Sequence, residues 1–503
     1  MEIAFLKNEF WYGSCVRYGM KMPISSNDKI ILDFEKNQTQ NQSMPLLISS
    51  KGRVIWNNLG FKAQFNMGNI TVPNSCILEQ CGKNLKEAYL FAMKKYFPFK
   101  NTTPAKELFE KVIYNTWIEL AFFQNQTDIT KYAENIIKSG MQEGVIMIDD
   151  GWSEYYGDWI FHSGRFPQPE KMIEKLHSMG FKIMLWICPF ISPDSIKYRE
   201  ARDLGLLIKE KNNEPFIVRW WNGYSAVLDF TNPNTEKWLK NQLEHLQNLG
   251  IDGFKFDAGD SVYYRDDNVT FKPTTPDEHS MLWAKFGEQY SFNEYRVTFK
   301  AGGYSLLQRL SDKDHCWGET GVASLIPDTL LQGITGHPYS CPDMIGGGEY
   351  ASFKNLEDSN LDQELFVRHC EIACLMPAMQ FSAAPYRVLN KENFECILKS
   401  IEIRKKYISY IMELIENVPK TGEPLIRYMA YEFPEEPVEN IINQFMLGNK
   451  YLIAPIYEKN KTSREVYIPK GIWKYENEII NSNGEIKTFN SIKGIPIILE
   501  KNN

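Results

Sequence analysis

Short apolar runs alternate with helical patterns between residues 108 and 418 of this 503-residue chain, and this alternation limits the folds it can adopt. Parallel strands need helical crossovers, and eight tilted strands close on themselves. The pattern therefore predicts an α/β fold with a central (β/α)8 TIM barrel; a doubly wound open sheet is the alternative. The predicted barrel strands span residues 114–123, 144–149, 182–189, 253–257, 296–300, 315–319, 339–343 and 378–382.

The regions on either side of this alternation have a different texture. Before about residue 105 and after about residue 420, short alternating runs such as 53–56 and 465–468 are separated by turn residues, which is typical of all-β modules. We therefore predict three domains. They are an N-terminal β-sandwich module at 1–105, the barrel at 106–418 with an insertion at 191–231, and a C-terminal β-sandwich module at 419–503.

Composition and charge restrict the partners. The net charge of −7 and the lack of long basic runs argue against nucleic acid, and no segment approaches the roughly 18 apolar residues of a membrane span. The N-terminus lacks the pattern of a secretory signal, which favours a cytoplasmic location. We expect a neutral or weakly charged small substrate, with no nucleic acid or membrane partner, and leave a homo-oligomer open.

Carboxylates dominate the predicted strand ends, which is where a barrel places its active site. The nine cysteines have no zinc-site spacing, and neither a catalytic triad nor a phosphate-binding loop is present, so no metal or cofactor is expected. Several acids together with 14% aromatic residues favour glycoside hydrolysis, in which two carboxyl groups flank the scissile bond. The candidates at or near strand ends are Asp149, Asp150, Trp186, Asp257, Glu319 and Asp343.

Two sets of ordered motifs occur within roughly residues 9–456. The first set is IDDGW at 148–152, GDWIF at 157–161, PDMIGG at 342–347 and GEPLIR at 422–427. The second set is WWNG at 220–223, AVLDFT at 226–231, KFDAG at 255–259, SLIP at 324–327 and PAMQFS at 377–382. Through the first set the chain resembles glycoside hydrolase family 31. Through the second it is most similar, within that family, to the branch of the myogenesis-regulating glycosidase and related α-galactosidases.

The resemblance implies a retaining exo-α-glycosidase in which Asp257 is the nucleophile. This agrees with the position of Asp257 after an apolar strand. The family's acid/base segment matches residues 316–319, so we assign that role to Glu319, where the family usually has Asp. Asp312 and Asp314 are the alternatives.

The resemblance also suggests residues that bind substrate. Arg309 matches an arginine that donates to sugar hydroxyls, and Lys255 shares the inward face of its strand with Asp257, so it either holds that carboxylate ionised or pairs with another acid. Asp343 either contacts the sugar or caps the glycine-rich turn. The remaining candidates, which would grip hydroxyls or form an aromatic wall, are Asp149, Asp150, Trp186, Trp220, Trp221 and Trp317.

One departure from the family bears on the sugar. The α-glucosidase members carry an Arg and a His after the eighth strand, whereas residues 380–386 read QFSAAPY. This favours an α-galactosidase. A glycosidase of another sugar (an α-glucoside, α-xyloside or sulfoquinovoside) and a catalytically inactive carbohydrate-binding relative are the alternatives.

Overall fold

A computed structural model describes residues 1–353 and 361–502. Residues 354–360, within the range predicted for the barrel, and residue 503, the last of the predicted C-terminal module, lie outside the described residues. No helix in the described part of the chain is long and apolar enough to cross a membrane.

The N-terminal module contains two antiparallel sheets whose apolar side chains join one buried cluster, with a helix at Leu85–Tyr96 following them. In spatial order, the four-stranded sheet contains Glu2–Ala4, Asn69–Thr71, Lys62–Asn66 and Lys29–Asp33. The five-stranded sheet contains Ile24–Ser25, Phe10–Cys15, Ser43–Ser49, Arg53–Trp56 and Ile77–Gln80.

The central domain is a closed parallel barrel, which confirms the predicted TIM-barrel fold. The first and eighth strands pair in parallel through Ile113 and Gln380, and the seventh strand closes the ring in two pieces. The first piece pairs with the sixth strand, and the second pairs with the eighth. From first to eighth, the barrel strands are Ile113–Asn115, Val145–Ile148, Lys182–Ile187, Gly253–Phe256, Asn293–Tyr295, Gln308–Arg309, Ser340–Cys341 with Met344–Ile345, and Gln380–Phe381.

Three predicted barrel strands were placed wrongly. The first is shorter than predicted because the chain turns into a helix at Trp117–Leu120. The fifth lies before residue 296, and the sixth is Gln308–Arg309 rather than 315–319. Both of these strands are short and polar because their side chains pair inside the barrel. Their sequences therefore lack the apolar pattern on which the prediction rested.

The buried pairs that replace apolar packing in this part of the barrel centre on Glu294. Its carboxylate accepts a hydrogen bond of 2.6 Å from Gln380 Nε2 and forms a 3.4 Å ion pair with Arg309 Nε. All three side chains are at most 1% exposed. Strands five, six and eight are thus joined through polar side chains inside the ring.

Helices begin where the sequence supplies caps. Thr275 and Glu278 form a capping box ahead of Pro276–Gly287, and the Asn232 side chain caps Pro233–Asn248. The other long helices of the barrel domain are Gln126–Lys138, Pro169–Ser178, Leu325–Ile334, Gln363–Ala373 and Lys391–Thr421. The shorter ones, including 3₁₀ turns in this domain, are Glu107–Glu110, Ile196–Asp203, Ser261–Tyr263, Val322–Ser324, Tyr350–Ser352 and Pro385–Val388.

Two excursions rise from the C-terminal ends of the second and third barrel strands. A hairpin pairs Ser153–Tyr155 with Asp158–Phe161. Within the range predicted as an insertion, a small sheet contains Phe190–Ile191, Gly223–Val227 and Ile217–Trp220. Both lie at the end of the barrel where an active site is expected.

The C-terminal region is built of antiparallel strands. A six-stranded sheet follows the long helix Lys391–Thr421, and two further strands, Ser463–Ile468 and Glu485–Asn490, pair separately. In spatial order, the larger sheet contains Ile426–Arg427, Phe445–Leu447, Tyr451–Ala454, Ile497–Asn502, Gly471–Tyr475 and Glu478–Ser482.

Candidate active site

A cavity of about 290 Å³ opens at the C-terminal end of the barrel strands. Its polar lining is mostly acidic, and its aromatic lining comes from the third barrel strand and from several segments beyond the strand ends. The residues that line it are Gln40, Trp117, Phe122, Asp149, Asp150, Trp186, Trp221, Asn222, Lys255, Asp257, Arg296, Asp312, Glu349 and Tyr350.

Asp257 follows the fourth barrel strand, and three donors hold its buried carboxylate. Oδ1 accepts hydrogen bonds from Arg296 Nε at 3.0 Å and from the Ala258 backbone N–H at 2.8 Å. Oδ2 accepts one from Trp186 Nε1 at 2.9 Å. Oδ2 therefore has fewer protein partners than Oδ1, so it is the oxygen better placed to react.

Charges around Asp257 favour its ionised form. Burial alone raises the pKa of this carboxyl, but the nearby Arg296 and Lys255 charges and the Trp186 hydrogen bond outweigh it and hold the pKa well below its usual range. The predicted effect of Lys255 on the charge of Asp257 thus acts together with that of Arg296. Arg296 was predicted only as part of a strand.

The two acids after the second barrel strand have different surroundings. Asp149 accepts a 2.7 Å hydrogen bond from Lys255 Nζ, so Lys255 also makes the structural pair considered as an alternative. Asp150 accepts a 3.0 Å bond from the Tyr156 hydroxyl and another from Asn222 Nδ2. Burial and the Asp149 charge raise the pKa of Asp150 to about 7. Both acids line the cavity.

The loop after the sixth strand brings Asp312 into the cavity. Arg309 Nη1 donates to Asp312 Oδ1 at 2.8 Å and also binds Asp343 Oδ1. The Asp312 side chain is 35% exposed, whereas Arg309 and Asp343 are buried outside the cavity lining. Arg309 therefore acts in this structure as the residue that holds Asp312.

Asp343 lies between the two pieces of the seventh strand, at a positive φ of 72°. Its Oδ2 accepts hydrogen bonds from the Lys313 N–H at 2.8 Å and the Gly348 N–H at 2.9 Å. Burial raises its pKa to about 7, against the opposing charge of Arg309. Of the two predicted roles, these contacts match the capping of the glycine-rich turn.

Glu319 does not lie at a strand end. It occupies an exposed turn and does not line the cavity, because the sixth strand is at Gln308–Arg309 and the chain has already left the barrel rim by residue 319. Asp314 and Trp317 also lie outside the lining; the Trp317 indole donates to Asp362 Oδ2 at 2.9 Å. Of the three acids weighed for the proton donor, the structure brings Asp312 into the cavity with Asp257.

The predicted tryptophans separate into two groups. Trp186 and the 46%-exposed Trp221 line the cavity. Trp220 is buried, donates to Ser225 Oγ at 3.0 Å and stacks on Trp186 with 11° between the ring planes. Trp220 therefore supports the wall from behind.

Several cavity residues were not predicted. Phe122 and Tyr350 pack around Trp117 at ring-centroid distances of 5.2 and 5.5 Å, forming one aromatic side of the opening. Asn222 lies in the WWNG motif at 220–223, from which no role was predicted for it. Glu349 follows the glycine-rich turn, and no local pattern marks Gln40, which comes from the N-terminal module.

Among the described residues, no group of three or more His, Cys, Asp or Glu side chains is arranged to hold a metal ion. Among the carboxyl groups of this cavity, Asp257 and Asp312 are a candidate pair for nucleophilic and acid/base chemistry. The Arg296 and Lys255 charges favour the ionised form of Asp257, whereas Asp312 is partly exposed.

Comparison with known proteins shows the family to which the two larger parts of the chain are similar. The family model for the glycosyl hydrolases family 31 TIM-barrel domain matches residues 107–414, and the model for the family's C-terminal domain matches residues 422–503. The mouse (Mus musculus) myogenesis-regulating glycosidase is 32% identical over 424 residues, covering 82% of this chain and 59% of the relative. The α-xylosidase XylQ of Lactiplantibacillus pentosus is 25% identical, covering 86% of this chain and 58% of the relative.

Solved structures show the same fold. The Flavobacterium johnsoniae dextranase FjDex31A in complex with glucose has a TM-score of 0.86 at 20% identity, covering all of this chain and 66% of the dextranase chain. An E. rectale sulfoquinovosidase bound to an aza-sugar inhibitor has a TM-score of 0.84 at 18% identity, covering all of this chain and 82% of that one.

The chain spans less than two thirds of the length of the two curated relatives described above. The barrel match nevertheless covers more than half of this chain, and the match to the C-terminal domain follows it directly. The chain therefore belongs to glycosyl hydrolase family 31.

Proposed function

We propose that this protein is a retaining exo-acting α-galactosidase, with Asp257 as nucleophile and Asp312 as general acid/base. The observation that carries the proposal is that one cavity at the barrel end contains Asp257, surrounded by cations, and Asp312, held by Arg309. Two carboxyl groups are what a retaining glycosidase requires.

The reaction proceeds in two displacements. Asp257 Oδ2 attacks the anomeric carbon while the bond to the leaving-group oxygen breaks and Asp312 donates its proton to that oxygen. A water molecule then attacks the same carbon, gives a proton to the Asp312 carboxylate and releases Asp257. Two inversions at one carbon leave the α configuration unchanged.

The surroundings of Asp257 suit a nucleophile. Arg296 and Lys255 keep the carboxylate charged, and the two donors on Oδ1 fix its plane while Oδ2 faces substrate with a single partner. Asp149 and Asp150 supply acceptor oxygens for sugar hydroxyls beside it.

The charge of the cavity favours a neutral sugar. Lys255 is paired with Asp149, and Arg296 with Asp257 and Asp260, so the two cations in the described lining are already engaged by carboxylates. An anionic substrate such as a sulfoquinovoside would also meet several carboxylates at the opening. The charge of the cavity therefore favours a neutral hexose over a sulfoquinovoside.

Galactose is favoured over glucose by the branch motifs and by QFSAAPY at residues 380–386, where the α-glucosidases of the family carry Arg and His. Gln380 is buried and engaged with Glu294 rather than lining the cavity. The eighth strand therefore supports the barrel network, which is consistent with a sugar recognised from the other strand ends.

A panel of p-nitrophenyl α-glycosides tests the proposal, with the Asp257→Asn variant as the blank. We expect the highest kcat/KM on the α-galactoside. Preference for the α-glucoside or α-xyloside would move the specificity within the family. Silence on the whole panel, combined with sugar binding by calorimetry, would favour the carbohydrate-binding relative and overturn the catalytic assignment.

A further inference from the structure

A segment of the N-terminal module, residues 37–43, inserts beside the fifth and sixth barrel strands. Ser43 exchanges backbone hydrogen bonds of 2.9 and 2.8 Å with Thr298 and Lys300, which follow the fifth strand. The polar side chains of Asn37, Asn41 and Gln42 are all at most 1% exposed. Buried polar side chains are costly unless they are fully paired, so their partners define what the segment holds in place.

Gln42 joins the segment to both strands. Its Nε2 donates to the carbonyl of Arg296 at 2.6 Å and to that of Arg309 at 2.9 Å, while its Oε1 accepts from Gln332 Nε2 at 2.9 Å. Arg296 and Arg309 are the residues that contact Asp257 and Asp312, respectively. One side chain from the N-terminal module therefore links the backbones that carry both contacts.

Asn41 acts on the Asp312 loop itself. The Ser311 N–H donates to Asn41 Oδ1 at 2.8 Å, and Asn41 Nδ2 donates to Ser311 Oγ at 2.8 Å. On the other side of Asp312, the Lys313 N–H donates to Asp343 Oδ2 at 2.8 Å. The backbone is thus fixed immediately before and immediately after the half-exposed Asp312 side chain.

We propose that Asn41 is a positioning residue for Asp312, so that the N-terminal module completes the catalytic centre. This inference rests on the proposed function. A proton donor works only within hydrogen-bond reach of the departing oxygen, and a displacement of about 1 Å can cost on the order of 10²-fold in rate. The Asn41 pair supplies that precision from outside the barrel.

Asn41→Ala removes both hydrogen bonds, and Ser311→Ala removes one while keeping the backbone bond to Asn41 Oδ1. Asn27→Ala, at an exposed turn of the same module, is the matched control. Each variant is assayed for kcat/KM on a dinitrophenyl α-galactoside, whose leaving group departs without help, and on methyl α-galactoside, whose leaving group needs a proton.

We expect Asn41→Ala to lose about tenfold or more on the methyl glycoside and less than about threefold on the dinitrophenyl glycoside. Ser311→Ala should show the same imbalance at smaller size, and Asn27→Ala should match the wild type on both. If Asn41→Ala fails to fold, Ser311→Ala carries the test alone.

Equal losses on the two substrates, or no loss in either variant, would overturn the positioning role, because misfolding or a general loss of active protein lowers both rates alike. A wild type that hydrolyses none of the α-glycosides would instead overturn the proposed function, and this inference with it. An active wild type with balanced losses overturns the inference alone.

Discussion

The cavity has two halves that are built differently. In the half formed by barrel strands two to four, Asp149, Asp150 and Asp257 directly follow buried apolar strands, and neighbouring donors hold their carboxylates. In the half formed by strands five to seven, Asp312 lies in a loop beyond a two-residue polar strand. The backbone N–H groups on either side of it, those of Ser311 and Lys313, donate to Asn41 and Asp343, respectively.

The difference fits the roles proposed for the two carboxyl groups. A nucleophile needs fixed charge, which the rigid barrel supplies through Arg296 and Lys255. A proton donor needs access to the leaving group at the opening, so it lies on a loop, and the precision of that loop comes from contacts with other segments. We expect the largest loss of activity at Asp257, in the first half, and smaller, graded losses from variants around the loop.

The largest expected effect is at Asp257. Asp257→Asn keeps the size of the side chain and removes the nucleophile, so kcat on the best p-nitrophenyl glycoside should fall on the order of 10⁴-fold or more. Steady-state assays with circular dichroism on the same sample separate lost chemistry from lost fold. Glu319→Gln, on the exposed turn, is the matched control and should retain wild-type activity.

Asp150→Asn should have the next largest effect. It removes a charged acceptor for sugar hydroxyls, which we expect to lower kcat/KM about 10- to 100-fold. Because the pKa of Asp150 is raised to about 7, the wild-type KM should rise as the pH falls below about 7 and the carboxyl gains a proton. A KM that changes with pH equally in wild type and variant would contradict this role.

Arg296→Gln tests the charge around Asp257. Removing this cation raises the pKa of the nucleophile, so the acidic limb of the kcat profile, measured at saturating substrate where the effect of Asp150 on KM drops out, should move to higher pH by on the order of one unit or more. Arg219→Gln, on an exposed position of the insertion sheet, provides the matched control. Identical acidic limbs in wild type and Arg296→Gln would show that other groups set the charge of Asp257.

The smallest expected effect concerns the turn that carries Asp343. Asp343→Asn weakens the pairing with Arg309 and the bonds to the Lys313 and Gly348 N–H groups. The free energy of unfolding should fall by about 1–3 kcal/mol, with a modest loss of kcat because the Asp312 loop is less fixed. Denaturant unfolding beside Asp314→Asn measures it; equal stability of the two variants would count against the turn-holding role.

The difference between the two halves of the cavity also explains which of its residues could be predicted from the sequence. Strands two to four are apolar runs with a cavity residue at or next to their C-terminal ends, so Asp149, Asp150, Trp186 and Asp257 could be predicted as cavity residues from pattern alone. The sixth strand, Gln308–Arg309, is polar because its side chains pair inside the barrel. The apolar pattern therefore did not mark it, and a later segment containing Glu319 was predicted as the strand instead.

Local sequence patterns could not predict contacts between segments that are distant in the chain. Asn41 meets Ser311 across 270 positions, and Gln40 enters the cavity from a module that was predicted only as β structure. The alternation of strands and helices predicted the barrel, because a parallel barrel repeats the same strand-and-helix unit around its ring. No repeated pattern marks a loop that runs from one module into another.

Azide rescue tests whether Asp257 is the nucleophile and Asp312 the acid/base. Asp257→Ala, Asp312→Ala and Glu319→Ala are each incubated with dinitrophenyl α-galactoside and sodium azide, and the glycosyl azide is identified by NMR. Azide replaces the missing nucleophile in one case and attacks the glycosyl-enzyme in the other, so the configuration of the product identifies the role. We predict the β-azide from Asp257→Ala, the α-azide from Asp312→Ala, and hydrolysis at the wild-type rate from Glu319→Ala. An α-azide from Glu319→Ala, with no azide product from Asp312→Ala, would contradict the assignment.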